Sequence, residues 1–89
     1  MVVERFTHGP APVYQRAAER GRLLPPGLDY VDSWVGERLD RCFQLMQTHD
    51  SKLLDEWTKR WEDLVEFEIV PVITSTEAAE QIADIIPDP

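Results

Sequence analysis

The sequence predicts a single α+β domain built on a four-stranded antiparallel sheet with helices on one face. Two observations lead to this fold class. The chain has 89 residues, the length of one small domain, and it contains six segments with regular apolar spacing. Four have the spacing of strands and two that of helices, in the order β-α-β-β-α-β, at residues 2–7, 13–21, 28–35, 41–48, 52–65 and 66–74. This order is the ferredoxin-like arrangement.

Composition narrows the possible classes of function. Seventeen Asp and Glu against nine Lys and Arg give a net charge of −8, which argues against nucleic acid or an anionic membrane as partner. The single cysteine, Cys42, cannot form an internal disulfide, which is typical of a reducing compartment. The sequence has neither a signal-peptide pattern nor a run of about 18 apolar residues. We therefore expect a cytoplasmic protein with one domain, residues 1–89.

The first strand, 2–7, ends at a turn of His8, Gly9 and Pro10. Pro10 and Pro12 suit the first turn of a helix, where a missing N–H costs nothing. Gly21 is a typical helix stop. The apolar face of this helix consists of Val13, Tyr14, Ala17 and Ala18.

The two middle strands, 28–35 and 41–48, are separated by five residues and predict a hairpin. Asp50 or Ser51 is the expected N-cap of the second helix. Trp57 and Trp61 lie on its apolar stripe, and we expect both in the core rather than at a ligand. The complete stripe is Leu53, Leu54, Trp57, Trp61, Leu64 and Val65.

The C-terminal part contains the last strand and a short helix. Pro71 lies within the strand segment 66–74 and indicates an edge position. The residues 75–77 are expected to cap a helix that reaches Ile86, and residues 86–89 are expected to be a frayed tail.

The hairpin register decides which residues share a sheet face. Pairing Val35 with Arg41 gives one face that is nearly all apolar and is therefore expected to be the core. That face carries Val31, Ser33, Val35, Phe43 and Leu45, joined by Phe67, Ile69 and Ile73. The second face carries Leu28, Tyr30, Asp32, Trp34, Cys42, Gln44 and Met46, joined by Glu68, Val70 and Val72.

This second face is too apolar for a solvated sheet and too polar for a dry core. We therefore expect a homodimer in which two sheets enclose a partly wet cavity. Tyr30, Trp34 and Met46 would supply contact area for a ligand there. Asp32, Gln44 and Glu68 would orient it, or would instead form hydrogen bonds across the dimer. Asp32 and Glu68 are also weak candidates for a general base.

Other reactive residues point to structural roles. His8 and His49 are not spaced as a metal-binding pair, so we expect no metal site and no cofactor. Cys42 is expected to be an apolar wall residue, because in a strand the neighbouring Arg41 points to the opposite face. The sequence contains no serine-protease-type constellation and no glycine-rich phosphate loop.

Several strings resemble a known family. They are residues 4–6, 30–34, 41–46 and 67–72, together with Trp57 and Trp61. The chain resembles the bacterial domain of unknown function family 3303 over nearly its whole length. This resemblance implies a dimeric α+β barrel and carries no assigned activity. The wider superfamily includes cofactor-independent monooxygenases, isomerases, haem enzymes and stress-related proteins, so the fold does not fix the function.

Three hypotheses for function follow. The first is a homodimeric barrel that binds a small, partly apolar molecule between its sheets. The second is a cofactor-independent monooxygenase or isomerase acting in the same cavity. The third is a structural or interaction module with no ligand.

Overall fold

The computed structural model describes residues 1–83 and residue 85. Seven elements follow one another in the predicted order, and the last is the short C-terminal helix that the sequence predicts. They are β1 (Val2–Phe6), α1 (Pro10–Arg20), β2 (Leu28–Val35), β3 (Arg41–Thr48), α2 (Lys52–Lys59), β4 (Val65–Ile69) and α3 (Ser75–Ala83). The predicted extension of the last helix to Ile86 and the predicted frayed tail lie outside the described residues.

The four strands form one antiparallel sheet in the order β2-β3-β1-β4, so the ferredoxin-like fold is confirmed. Strand β4 is an edge strand, as predicted, although it ends at Ile69 and Pro71 lies beyond it. Its end is tied to the start of the chain, because Met1 and Val70 exchange backbone hydrogen bonds of 2.7 and 2.8 Å.

The core lies between the sheet and the helices α1 and α2. Its buried apolar side chains are Val2, Phe6, Leu28, Cys42, Trp57, Trp61 and Val65. Trp57 is 1% exposed and its ring lies 5.6 Å from that of Phe67. The indole N–H groups of Trp57 and Trp61 both donate to the carbonyl oxygen of Arg22, at 2.9 and 3.0 Å. The predicted burial of both tryptophans is confirmed.

Helix α2 is shorter than predicted. It ends at Lys59 rather than at Val65. Two tight turns follow, in which Trp61 N donates to Thr58 O and Leu64 N donates to Trp61 O. Val65 then pairs with Phe6 of β1, so strand pairing replaces helical hydrogen bonding at the end of the apolar stripe.

The helix caps partly follow the prediction. Asp50 accepts the backbone N–H of Lys52 through Oδ1 at 3.0 Å, whereas Ser51 makes no capping hydrogen bond. For α3 the capping side chain is Thr74, one residue before the predicted 75–77, and it accepts the N–H of Glu77 at 3.0 Å.

The predicted hairpin register is correct in the first half of β2, where Tyr30 pairs with Met46, and wrong in the second half. Val35 pairs with Cys42 rather than with Arg41. A β-bulge between Tyr30 and Asp32 leaves Val31 as the extra residue, and its side chain is 51% exposed. The bulge breaks strict alternation, so Leu28, Tyr30, Ser33 and Val35 all face the helices.

The two faces of β3 are the reverse of those predicted, because Cys42 and Gln44 lie opposite the buried Glu4 and Val2 of β1. Cys42 and Gln44 face the helices and are buried, whereas the predicted core residues Phe43 and Leu45 lie on the opposite side. We call that side the outer face, and its strand residues are Val3, Arg5, Asp29, Asp32, Trp34, Arg41, Phe43, Leu45, Gln47, Glu66 and Glu68. In β4 the sorting is as predicted, since Phe67 faces the core and Glu68 does not.

Candidate functional site

A cavity of about 210 Å³ lies between the helix-facing side of the sheet and the helices α1 and α2. The small side chains of Ala17, Ser33 and Cys42 leave this space where larger ones would fill it. Most of the wall is apolar or aromatic, and consists of Phe6, Val13, Tyr14, Ala17, Val35, Trp57 and Trp61. The polar lining consists of Glu4, Arg22, Ser33, Cys42 and Gln44. We call this space the helix–sheet cavity.

Glu4 is a buried carboxyl at this cavity. Strand alternation places it between Val2 and Phe6 on the helix-facing side of β1, and it is 5% exposed. Gln44 on the neighbouring strand β3 donates a hydrogen bond from Nε2 to Oε1 of Glu4, at 2.6 Å. Burial raises the pKa of Glu4 to about 7, although the hydrogen bond from Gln44 and the charge of Arg22 act in the opposite direction. At neutral pH both the acid and the carboxylate are therefore populated.

Gln44 offers the cavity an acceptor that the protein does not use. The side chain is 8% exposed, and its Oε1 has no hydrogen-bond partner within residues 1–83. In the structure the amide NH₂ of Gln44 donates to Glu4, so the amide oxygen is the free end. Leaving such an acceptor unpaired costs about 1–3 kcal/mol, which a bound donor would recover.

Cys42 lies beside this pair and lines the cavity. Burial and the nearby Glu4 raise the pKa of its thiol to about 11. The thiol is therefore neutral at physiological pH and poorly suited to act as a nucleophile. This agrees with the predicted role of Cys42 as a wall residue.

Arg22 lines one end of the cavity, in the connection between α1 and β2. Its guanidinium carbon lies 3.6 Å from the centre of the Tyr30 ring, and the Tyr30 hydroxyl is 2.6 Å from Ser33 Oγ. The carbonyl of Arg22 also holds both core indoles. Arg22 thus contacts the buried indoles through its carbonyl, and it also belongs to the polar lining of the cavity.

The structure divides the predicted site residues between the two sheet faces. Tyr30, Gln44 and Met46 face the helices, and only Gln44 of the three lines the helix–sheet cavity. Asp32, Trp34 and Glu68 lie on the outer face and are exposed. The prediction that all six share one face is wrong. The bulge at Val31 turns Asp32 and Trp34 to the face opposite Gln44, and Glu68 pairs with Val3 on that same outer face.

Sequence reasoning missed Glu4. A signal for it was present, since Val2, Glu4 and Phe6 alternate on one side of a short strand whose other residues are Val3 and Arg5. A carboxylate between two apolar residues of the same face is unusual, and it marks either a buried site or an edge of the core. Arg22 was missed as well, because it lies in a loop without periodicity.

Within residues 1–83 no three His, Cys, Asp or Glu side chains come together to form a metal site. His8 and His49 are exposed. No described helix has the length and apolar character needed to cross a bilayer.

The fold and this site define a class of small ferredoxin-like α+β domains with a buried carboxyl between sheet and helices. The family model described as Domain of unknown function (DUF3303) matches residues 1–86, and the chain belongs to this family. No curated protein and no solved structure matches the chain significantly.

Proposed function

We propose that this protein binds a small, mostly apolar molecule with one hydrogen-bond donor in the helix–sheet cavity. The observation that carries this proposal is the buried, unpartnered Oε1 of Gln44 in the cavity wall. A ligand hydroxyl or N–H group would satisfy this acceptor, and the aromatic walls would cover the apolar body.

The volume limits the size of the ligand. A cavity of about 150 Å³ is enough for benzene in a protein core. The helix–sheet cavity measures about 210 Å³, which suits a single substituted ring. Larger drug-sized molecules need about 300 Å³ or more.

This proposal moves the binding site expected from the sequence. The expected cavity between two sheets relied on Gln44, Tyr30 and Met46, which face the helices. The proposed site lies within one subunit, in the helix–sheet cavity, where Gln44 is buried.

We also propose that the protein is a cytoplasmic homodimer that pairs through its outer face. Trp34, Phe43 and Val3 form an apolar row across β2, β3 and β1 of that face. A second copy would cover this row from solvent. The free thiol of Cys42 supports a reducing compartment.

A cofactor-independent enzyme is the second candidate, with Glu4 as general acid or base in place of the expected Asp32 or Glu68. The pKa of Glu4, about 7, is well matched to proton transfer at neutral pH. Asp32 and Glu68 lie on the opposite side of the sheet from this cavity.

Calorimetric titration with benzyl alcohol and toluene tests the binding proposal. The two probes have nearly the same shape, and only the alcohol has a donor for Gln44. We expect benzyl alcohol to bind more tightly by about 1–3 kcal/mol, and Gln44→Leu to remove this preference.

A matched pair of variants tests the location. Ala17→Leu fills the cavity and should abolish binding, whereas Ala18→Leu, on the exposed side of the same helix, should leave it unchanged. Circular dichroism confirms that each variant is folded. If neither probe binds the folded wild-type protein, the proposal fails and the module without a ligand is favoured.

A further inference from the structure

Beside Glu4, the helix–sheet cavity offers hydrogen-bond acceptors to a ligand. The donors of Arg22 belong to a guanidinium that is stacked on Tyr30. Glu4 contributes a carboxyl, and Gln44 contributes an amide oxygen with no partner in residues 1–83. The Gln44 NH₂ group is directed to Glu4, and the Ser33 hydroxyl is paired with Tyr30. A ligand that satisfies this lining must bring donors.

The lining also holds a carboxyl without a cationic partner. The ion pairs among the described residues are Arg16 with Asp63 and Arg60 with Glu56, and neither involves Glu4. Arg22 is the nearest cation, but its guanidinium is stacked on Tyr30. A buried carboxylate in an apolar wall is stabilised most by an opposite charge at hydrogen-bond distance.

Building on the binding function proposed above, we infer that the cavity selects small primary amines with an apolar body. The ammonium group would lie between the Glu4 carboxylate and Gln44 Oε1. It offers three N–H donors and one positive charge, whereas an alcohol offers one donor and no charge. A ligand carboxylate would meet the carboxyl of Glu4 and would be rejected.

The aromatic walls fit the same ligand class. Phe6, Tyr14 and Trp61 line the cavity. Aromatic rings attract cations through their faces and also cover apolar groups. A benzylammonium ion combines both properties in a single substituted ring.

Binding of an amine should depend on pH through Glu4. The other titratable or charged groups that line the cavity are Cys42 on β3, Arg22 in the α1–β2 connection and Tyr14 on α1, and α2 contributes none. An ammonium ligand binds the carboxylate form, so its affinity should rise between about pH 5 and pH 8 as Glu4 loses its proton. Benzyl alcohol should show no comparable rise.

Calorimetry with benzylamine, benzyl alcohol and benzoate at about pH 8 tests this inference. We expect benzylamine to bind at least about tenfold more tightly than benzyl alcohol, and benzoate not to bind. Glu4→Gln should remove the advantage of benzylamine while benzyl alcohol still binds. Glu68→Gln removes the same charge from the outer face and should leave the advantage intact.

The outcomes separate the two proposals. If benzyl alcohol binds as tightly as benzylamine, the amine preference is wrong and the binding function stands. If no probe binds the folded wild-type protein, the binding function itself is wrong. If Glu4→Gln and Glu68→Gln weaken benzylamine equally, the preference comes from the net charge of the protein and the assignment to Glu4 fails.

Discussion

Glu4 is a residue that the fold buries at a cost in stability. Its pKa rises from 4.5 to about 7 on folding, because the carboxylate loses its hydration. Between these two values the folded protein holds a proton that the unfolded chain has lost. The contribution of Glu4 to the free energy of unfolding is therefore highest below pH 4.5 and falls by about 3 kcal/mol as pH rises to 7.

Glu4→Gln should remove this pH dependence. At about pH 8 we expect the variant to be more stable than wild type by about 2–3 kcal/mol, because a neutral amide replaces a buried carboxylate. Near pH 4 the two proteins should have similar stability. Urea unfolding followed by tryptophan fluorescence at several pH values measures the difference, with Glu68→Gln as the control for net charge. An equally steep pH dependence in Glu4→Gln would contradict the burial of a titrating Glu4.

Trp57 supports the fold and Trp34 does not. Trp57→Ala should destabilise the protein by about 3–5 kcal/mol, because it leaves a core cavity and removes one of the two indole N–H groups that donate to the Arg22 carbonyl. Trp34 is 52% exposed on the outer face, so Trp34→Ala should change subunit stability by less than about 1 kcal/mol. Chemical unfolding of the two variants at the same protein concentration compares them. Equal destabilisation would mean that the two sheet faces are assigned wrongly.

At the level of elements, the predicted bounds of strands and helices agree with the structure where turn residues mark the ends of an element. Strands β2 and β3 have the predicted bounds, since turn residues flank a clear hairpin. The sequence predicts too long a helix α2, because Trp61, Leu64 and Val65 continue its apolar stripe. In the structure, pairing of Val65 with β1 determines where the chain leaves the helix. The bulge at Val31 follows from tertiary packing, and no turn residue marks it in the sequence.

Deletion of Val31 tests the role of the bulge. Removing this extra residue joins Tyr30 directly to Asp32 and keeps Tyr30 and Ser33 on the helix-facing side. We expect the deletion to retain the fold, with a loss of stability below about 2 kcal/mol. Deletion of Ser33 should cost more, because the bulge then closes with Asp32 in the helix-facing position opposite Gln44, which buries a second carboxylate there. Circular dichroism and thermal unfolding compare the two deletions, and equal loss of stability would contradict the register.

At the level of the whole molecule, the sequence predicted the topology better than the site. The order of periodicities determines which strands pair, whereas the site depends on which face each side chain takes. One inserted residue in β2 was enough to place Asp32 and Trp34 on the opposite face from Gln44. The helix–sheet cavity also involves Arg22, which lies in a loop without periodicity. Glu4 follows strand alternation, but its burial depends on the helices that pack over β1.

The outer face carries apolar side chains on an exposed sheet surface, which is the property from which we expect a homodimer. The residues that carry it differ from those predicted. Trp34 lies opposite Phe43, Phe43 lies opposite Val3, and Glu68 ends this row at the β4 edge. A face-to-face dimer would bury the three apolar side chains and leave the charged groups of the face at its rim. Wild-type protein at micromolar concentration is therefore expected to have twice the monomer mass of 10.3 kDa.

Trp34→Glu should dissociate this dimer. The substitution places a second carboxylate next to Asp32 on the outer face and removes the largest apolar side chain of the row. Leu39→Glu is the matched control, because Leu39 is 53% exposed but lies in the β2–β3 turn. Sedimentation equilibrium should give the monomer mass for Trp34→Glu and the dimer mass for Leu39→Glu. A monomeric wild type would exclude the homodimer, and a dimeric Trp34→Glu would mean that the copies associate through another surface.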